Sequence, residues 1–104
     1  MTESEFTRLA DETLARIESA IDDCGADIDF DNNGGVLQLT FANGSQMIVN
    51  KQAAAREIWL AAKAGGFHFT WKDGEWRDTR DGTPLFAALG KYASAQAGQA
   101  VTLG

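Results

Sequence analysis

The sequence has one cysteine, one histidine and one proline, and it is short of bases, with nine Lys and Arg against fifteen Asp and Glu in 104 residues. Each shortage closes a class of function. Cys24 alone cannot form an internal disulfide, and it cannot hold an iron–sulfur cluster, which ordinarily takes four thiolates. With only His68 beside it, a Cys/His zinc site within one chain is excluded as well. A net charge of −6 without any clustering of Lys or Arg argues against nucleic acid or an anionic membrane as partner, because phosphate binding needs cations gathered on one face. No run of 18 apolar residues occurs and no basic-then-apolar leader opens the chain. Neither a membrane span nor a signal peptide is predicted, and the cytoplasm is the expected compartment. There is no Ser or Cys nucleophile near a base, no phosphate-cradling glycine loop and no dinucleotide fingerprint, so no enzyme template fits.

What the chain does have is an apolar content of 44%, enough to build the core of one domain spanning residues 1 to 104, and a charge distribution that is strongly polarised. Residues 1 to 31 hold ten acids against Arg8 and Arg16, net −8, whereas residues 32 to 104 hold five acids against seven bases, net +2. The densest stretch carries Glu18, Asp22, Asp23, Asp27, Asp29 and Asp31 with no Lys or Arg among them. Such crowding costs stability through self-repulsion, so it either keeps the chain soluble or attracts something cationic.

Helical period governs the first segment: Ser4 is a candidate cap, and Phe6, Ala10, Leu14, Ile17 and Ile21 fall on one stripe that ends near Cys24-Gly25. Asp11, Glu18 and Asp22 project beside that stripe as an acidic ridge. Alternation then takes over. Asp27 to Asp31 reads as a strand with Ile28 and Phe30 inward and three carboxylates outward, followed after Asn33-Gly34-Gly35 by Val36 to Phe41, with Leu37, Leu39 and Phe41 inward. If the next loop is Asn43-Gly44 alone, Ile48 pairs opposite Leu39 in a strand from about Ser45 to Lys51. Ala53 to Ala55 is a connecting turn. Ile58 to Ala61 is a strand whose alternation sends Trp59 to solvent, where an exposed Trp suits an interface anchor. Gly65-Gly66 turns into Phe67 to Lys72, and Asp73-Gly74 closes a hairpin with Phe67, Phe69, Trp71 and Trp76 inward and His68, Thr70 and Arg77 outward. Thr83-Pro84 starts a second helix carrying Leu85, Ala88, Leu89 and Tyr92 inward, and Val101 and Leu103 dock the tail. The expected fold is an α+β two-layer sandwich, with the N- and C-terminal helices on one face of a five- to six-stranded antiparallel sheet.

The carboxylates allow two readings: a solvated acidic face, or a site for a hard cation held by oxygen ligands alone. Asp29 to Gly34 matches the opening of a calcium loop, but the match fails because its twelfth place is Thr40 and a strand follows where a helix should. Any bound metal would be held by open, partly hydrated carboxylates, with modest affinity and little selectivity.

Taken together, Asn33-Gly34-Gly35-Val36-Leu37, Asn43-Gly44, Val49-Asn50-Lys51-Gln52 and Ile58-Trp59-Leu60-Ala61 resemble the frataxin family. Ser4-Glu5-Phe6, Leu9-Ala10-Asp11 and the Gly65 to Phe69 segment are similar to its bacterial branch. The resemblance runs from about Ser4 to Gly98 and implies a frataxin-like sandwich and a non-enzymatic role in iron–sulfur cluster assembly. It further implies weak binding of iron, Fe²⁺ or Fe³⁺, through Glu18, Asp22, Asp23, Asp27, Asp29 and Asp31, with no cluster held by the chain itself. The implied partners are the cysteine desulfurase and the scaffold protein, met by Asp11, Glu18 and Asp22 of the ridge and by Trp59, Asn50 and Gln52 on the sheet. Without metal the chain is expected to be a monomer. Ser19 stands where many bacterial members carry another acid and the Gly25-Ala26 linker is short, both of which lower the expected iron capacity. Ala54 replaces a common proline and should only loosen a turn. An acidic interaction module whose metal binding is incidental is the alternative.

Overall fold

Residues 1–103 are described by a computed structural model, in which two helices cover one face of a six-stranded antiparallel sheet. Helix α1 (Glu3–Asp23) buries the stripe Phe6, Ala10, Leu14, Ile17 and Ile21, with Thr13 beside it. Its cap is Thr2, two residues before the expected Ser4, which lies inside the helix. The Thr2 hydroxyl accepts from the Glu5 N–H at 3.1 Å, and Thr2-Glu3-Ser4-Glu5 has the spacing of a capping box.

Strands β1 (Ile28–Asn33), β2 (Val36–Phe41), β3 (Gln46–Gln52), β4 (Glu57–Ala62), β5 (Gly65–Lys72) and β6 (Glu75–Asp78) lie side by side in chain order. Leu37, Leu39, Met47, Val49, Ile58, Leu60, Phe69 and Trp76 point at the helices and are buried, as is Ile28, while Phe30 is half-buried. The β2–β3 register departs from expectation. Phe41 N–H bonds to Ser45 O and Gly44 N–H to Phe41 O, so the loop is Ala42-Asn43-Gly44, three residues with Gly44 at φ 86. Leu39 therefore faces Met47, and Ile48 turns to the outer face opposite Gln38. The turn into β5 also moves: Ala62 pairs with Gly65, leaving Lys63-Ala64 as the loop, so Gly65 and Gly66 already belong to the strand. Asp73-Gly74, at φ 54 and 81, closes the β5–β6 hairpin as a two-residue loop. Trp71 lies on the expected face but at the strand's open end, so it stays 36% exposed, meeting Trp76 edge to face at 5.4 Å.

Helix α2 (Leu85–Ala97) buries Leu85, Ala88, Leu89, Ala93 and Gln96, with Tyr92 half-buried. Thr83 is not its cap. The Thr83 carbonyl accepts from Asp78 N–H at 2.9 Å and Pro84 bridges to Arg77, so Pro84 at ψ 144 occupies the cap position without a capping side chain. Val101 and Leu103 are buried, the former held by Ser94, whose hydroxyl accepts the Val101 N–H at 2.8 Å. The side chain of Arg16 lies 4.2 Å from the Phe86 ring centroid and ties α1 to α2.

Candidate functional site

Helical and strand periods together decide where the acids fall. On α1, Asp11, Asp22 and Asp23 are exposed and Glu18 is half-buried beside the sheet edge. Glu18 Oε2 accepts from Asn32 Nδ2 at 2.8 Å, which locks the helix flank to β1. Asp27 lies in the link between α1 and β1, one residue short of the strand. Because Ile28 and Phe30 turn toward the helices, Asp29 and Asp31 project from the opposite face of the sheet, where Asp31 accepts from Asn33 Nδ2 at 2.8 Å. The carboxylates thus fall on both sides of the β1 edge, Glu18 on the helix side and Asp29 and Asp31 on the outer face. Among residues 1–103 no three acidic, His or Cys side chains gather in a group that could hold a metal ion. Oxygen donors suit a hard cation such as iron, but these could offer only one or two ligands at a time, leaving the rest to water.

The two ends of α1 treat their charges differently. Glu3 and Glu5 sit in the first turn, where the helix dipole favours carboxylates, whereas Asp22 and Asp23 sit in the last turn, where it opposes them, and no base is placed there. Further back, Asp11 is neutralised. Lys51 Nζ lies 2.6 Å from Asp11 Oδ1, and its stem passes over Gly35 so closely that a Cβ there would come within 2.6 Å of Lys51 Cε. The Gly35 backbone, at φ 89, is thus doubly bound to glycine.

The second candidate surface is the outer face of the sheet. In register, Asn50 faces Trp59, Trp59 faces His68 and Gln52 faces Glu57, so the three sheet residues expected to meet a partner are neighbours. Trp59 projects outward as expected, but it is half-buried instead of standing free in solvent. Its indole stacks on the His68 ring at 4.4 Å and 9°, and its Nε1 donates to Glu57 Oε1 at 2.8 Å. His68 Nδ1 lies 3.7 Å from the same carboxylate oxygen. Sequence reasoning missed the roles of His68, Glu57, Asn32 and Lys51. Each acts through a cross-strand or helix–strand contact, and only the strand-pairing signals of the turns hinted at them.

A family model described as a frataxin-like domain matches residues 1–99. The chain is 56% identical over 101 residues to the iron–sulfur cluster assembly protein CyaY of Paraburkholderia xenovorans (strain LB400), covering 97% of this chain and 96% of that one. To the protein of the same name from Dechloromonas aromatica (strain RCB) it is 52% identical over 104 residues, covering 99% of each. Among solved structures, frataxin from Psychromonas ingrahamii superposes with a TM-score of 0.91 at 36% identity, covering 98% of this chain and 97% of that one. The trimeric yeast (Saccharomyces cerevisiae) frataxin complexed with ferrous iron gives 0.62 at 26% identity, covering 93% and 86%.

Proposed function

The chain belongs to the frataxin family, and from that premise we propose that it is a non-enzymatic, cytoplasmic protein of iron–sulfur cluster assembly that binds iron weakly. In this reading it serves as iron donor to, or regulator of, the cysteine desulfurase and its scaffold, and it is a monomer without metal. The observation that carries the proposal is the uncompensated carboxylate edge from Glu18 to Asp31, which ends a helix with two acids against its dipole and whose six carboxylates are hard oxygen ligands. A fold selected for stability alone would place bases at that helix end. A solved relative, trimeric yeast frataxin, is described as complexed with ferrous iron, which supports iron as the cation.

Docking is assigned to Asp11, Glu18 and Asp22 on the helix side, with Asp11 presented as an ion pair with Lys51, and to Asn50, Gln52 and Trp59 on the outer sheet face. A second reading, an acidic docking module whose metal binding is incidental, is favoured by the failure of any three carboxylates to converge among the described residues. One experiment separates the two. Titrating Fe²⁺, with Mn²⁺ and Co²⁺ as paramagnetic probes, should perturb amide resonances from Glu18 to Asp31 and spare the β5–β6 hairpin, while cluster formation by desulfurase and scaffold is followed with and without the chain. An effect on cluster formation that tracks iron occupancy supports the donor reading. An effect of full size from metal-free protein supports the docking reading, and a perturbation map centred on His68 contradicts both assignments of the metal surface.

A further inference from the structure

Glycine in a strand is a cost unless something requires it, and β5 begins with two, Gly65 and Gly66. Gly65, at φ 143, has a backbone reason to be glycine, but Gly66 has none: its φ lies outside the left-handed region, and a Cβ built on it meets nothing within 4 Å. Its cross-strand partner on the outer face is Ala61, the smallest side chain available there after glycine itself. The bare Ala61–Gly66 pair is bounded by Ile48, which pairs with Ala61, and by the stacked Trp59 and His68, the next pair on the same face. The result is a shallow, mainly apolar dent of about 210 Å³, lined also by Asn50.

The dent lies on a straight cross-strand line. Asp31 pairs with Gln38, Gln38 with Ile48, Ile48 with Ala61 and Ala61 with Gly66, so one row on the outer face runs from a carboxylate at the β1 edge to the bare pair on β4 and β5. At about 4.8 Å per strand the carboxylate and the dent are roughly 14 Å apart. Neither Asp29 nor Asp31 is ion-paired among the described residues.

We propose that the Ala61–Gly66 dent is a socket for one protruding aliphatic side chain of a partner protein whose docking surface is otherwise basic, the base meeting Asp29 and Asp31 while the side chain fills the space beside Trp59. The missing Cβ at position 66 is the device that keeps the socket open. The Trp59–His68 stack forms one wall, and the hydrogen bond from Trp59 to Glu57 holds that wall upright. This inference rests on the docking surface assigned under the proposed function and adds which residues of that surface select the partner.

The test fills the socket without touching its walls. Gly66→Ala and Gly66→Val are made in the full chain, and binding to the desulfurase–scaffold complex is measured by titration calorimetry alongside thermal melting and Mn²⁺ broadening. The expected result is a melting temperature equal to or above that of the parent and unchanged broadening from Glu18 to Asp31. Kd should weaken in steps, reaching about 30-fold for Val, the scale of losing one anchor side chain. Full-strength binding by a folded Gly66→Val protein overturns the proposal. Self-association of the parent that Gly66→Val abolishes, with desulfurase–scaffold binding unchanged, assigns the socket to a second copy and also overturns it. If the parent itself does not bind the desulfurase–scaffold complex, the proposed function fails first, and the socket loses the partner it was assigned.

Discussion

Replacing Asp22 and Asp23 together by Asn should raise the stability of this protein, and the structure sets the size of the gain. Both residues close α1, both are exposed, and no base stands in the last turn to meet them. Neither makes an ion pair among the described residues. Each carboxylate faces the negative end of the helix dipole at a cost of about 0.3 to 1 kcal/mol at low salt. Asp22 also stands one turn beyond Glu18, a like-charge pair that costs about 0.2 to 0.5 kcal/mol. Asn and Asp have similar helix propensity, so little is lost in exchange. The sum is a gain of about 1 to 2 kcal/mol, which for a domain of this size corresponds to a rise in Tm of roughly 5 to 10 °C. Differential scanning calorimetry at about 0.01 M and about 1 M salt tests both size and cause, because the Debye length falls from about 30 Å to about 3 Å and should remove most of the difference. A double variant that melts at or below the parent would show that these side chains have structural partners. A gain that survives undiminished at high salt would show that electrostatics is not its source. If the gain is electrostatic and the Mn²⁺ broadening is lost with it, the acids are kept at a cost to the fold because they bind something.

Trp59→Ala removes a half-buried indole, its stack on His68 and its bond to Glu57, so it should cost about 1 to 2 kcal/mol in denaturant titration, while desulfurase binding falls by about 2 kcal/mol or more. A stability loss of about 3 to 5 kcal/mol would place the ring in the core, and full-strength binding would remove it from the interface. Asp81 is held below its ordinary carboxyl pKa of 3.8, first by the Thr83 N–H that bonds its Oδ1 at 2.9 Å and then by the Thr83 hydroxyl. A depressed folded pKa contributes stability that is present above the ordinary value and lost as pH falls through the folded one. The parent should therefore melt above Asp81→Ala at neutral pH and converge with it in acid. A gap that stays constant down to acid pH would mean that the carboxylate's charge plays no part.

Much of the fold could be read locally because its elements carry strong periods. The stripe Phe6, Ala10, Leu14, Ile17, Ile21 is buried as a unit, and Asp73-Gly74 forms the two-residue loop that its chemistry favours. Registers failed where the pattern was degenerate. Met47, Ile48 and Val49 are all apolar, so alternation could not say which of them faces inward, and the decision fell to the loop. A two-residue Asn43-Gly44 turn would bury Ile48. The three-residue loop found, with Ala42 drawn out of the strand, buries Met47 and Val49 instead. The shift of one residue placed Ile48 on the outer face, where it walls the dent over Ala61. Capping failed for a similar reason. Thr2 and Ser4 are both good caps, and the choice went to the one with Glu three residues on.

The candidate site was legible as a composition and not as a shape. Six acids within fourteen residues look like one cluster in the sequence, but a helix and a strand meet within that run and distribute their side chains by different rules. The helical period puts Glu18 and Asp22 on the flank beside β1, and the strand period puts Asp29 and Asp31 on the far face of the same edge. The consequence is chemical. A compact set of carboxylates would select a small cation by enclosing it, whereas carboxylates divided across an edge present a wide negative field that any hard cation or basic surface can enter. On the proposed function, weak metal binding and protein docking are therefore two uses of one arrangement. Asp11 shows how the arrangement is bounded: Lys51, reaching across Gly35, supplies a fixed counter-ion, so the open field begins only at Glu18. From there it passes over the edge to Asp29 and Asp31, whose row leads through Gln38 and Ile48 to Ala61, beside Trp59, so on the proposed function the outer sheet face, and not the helix flank alone, is where charge and apolar recognition meet.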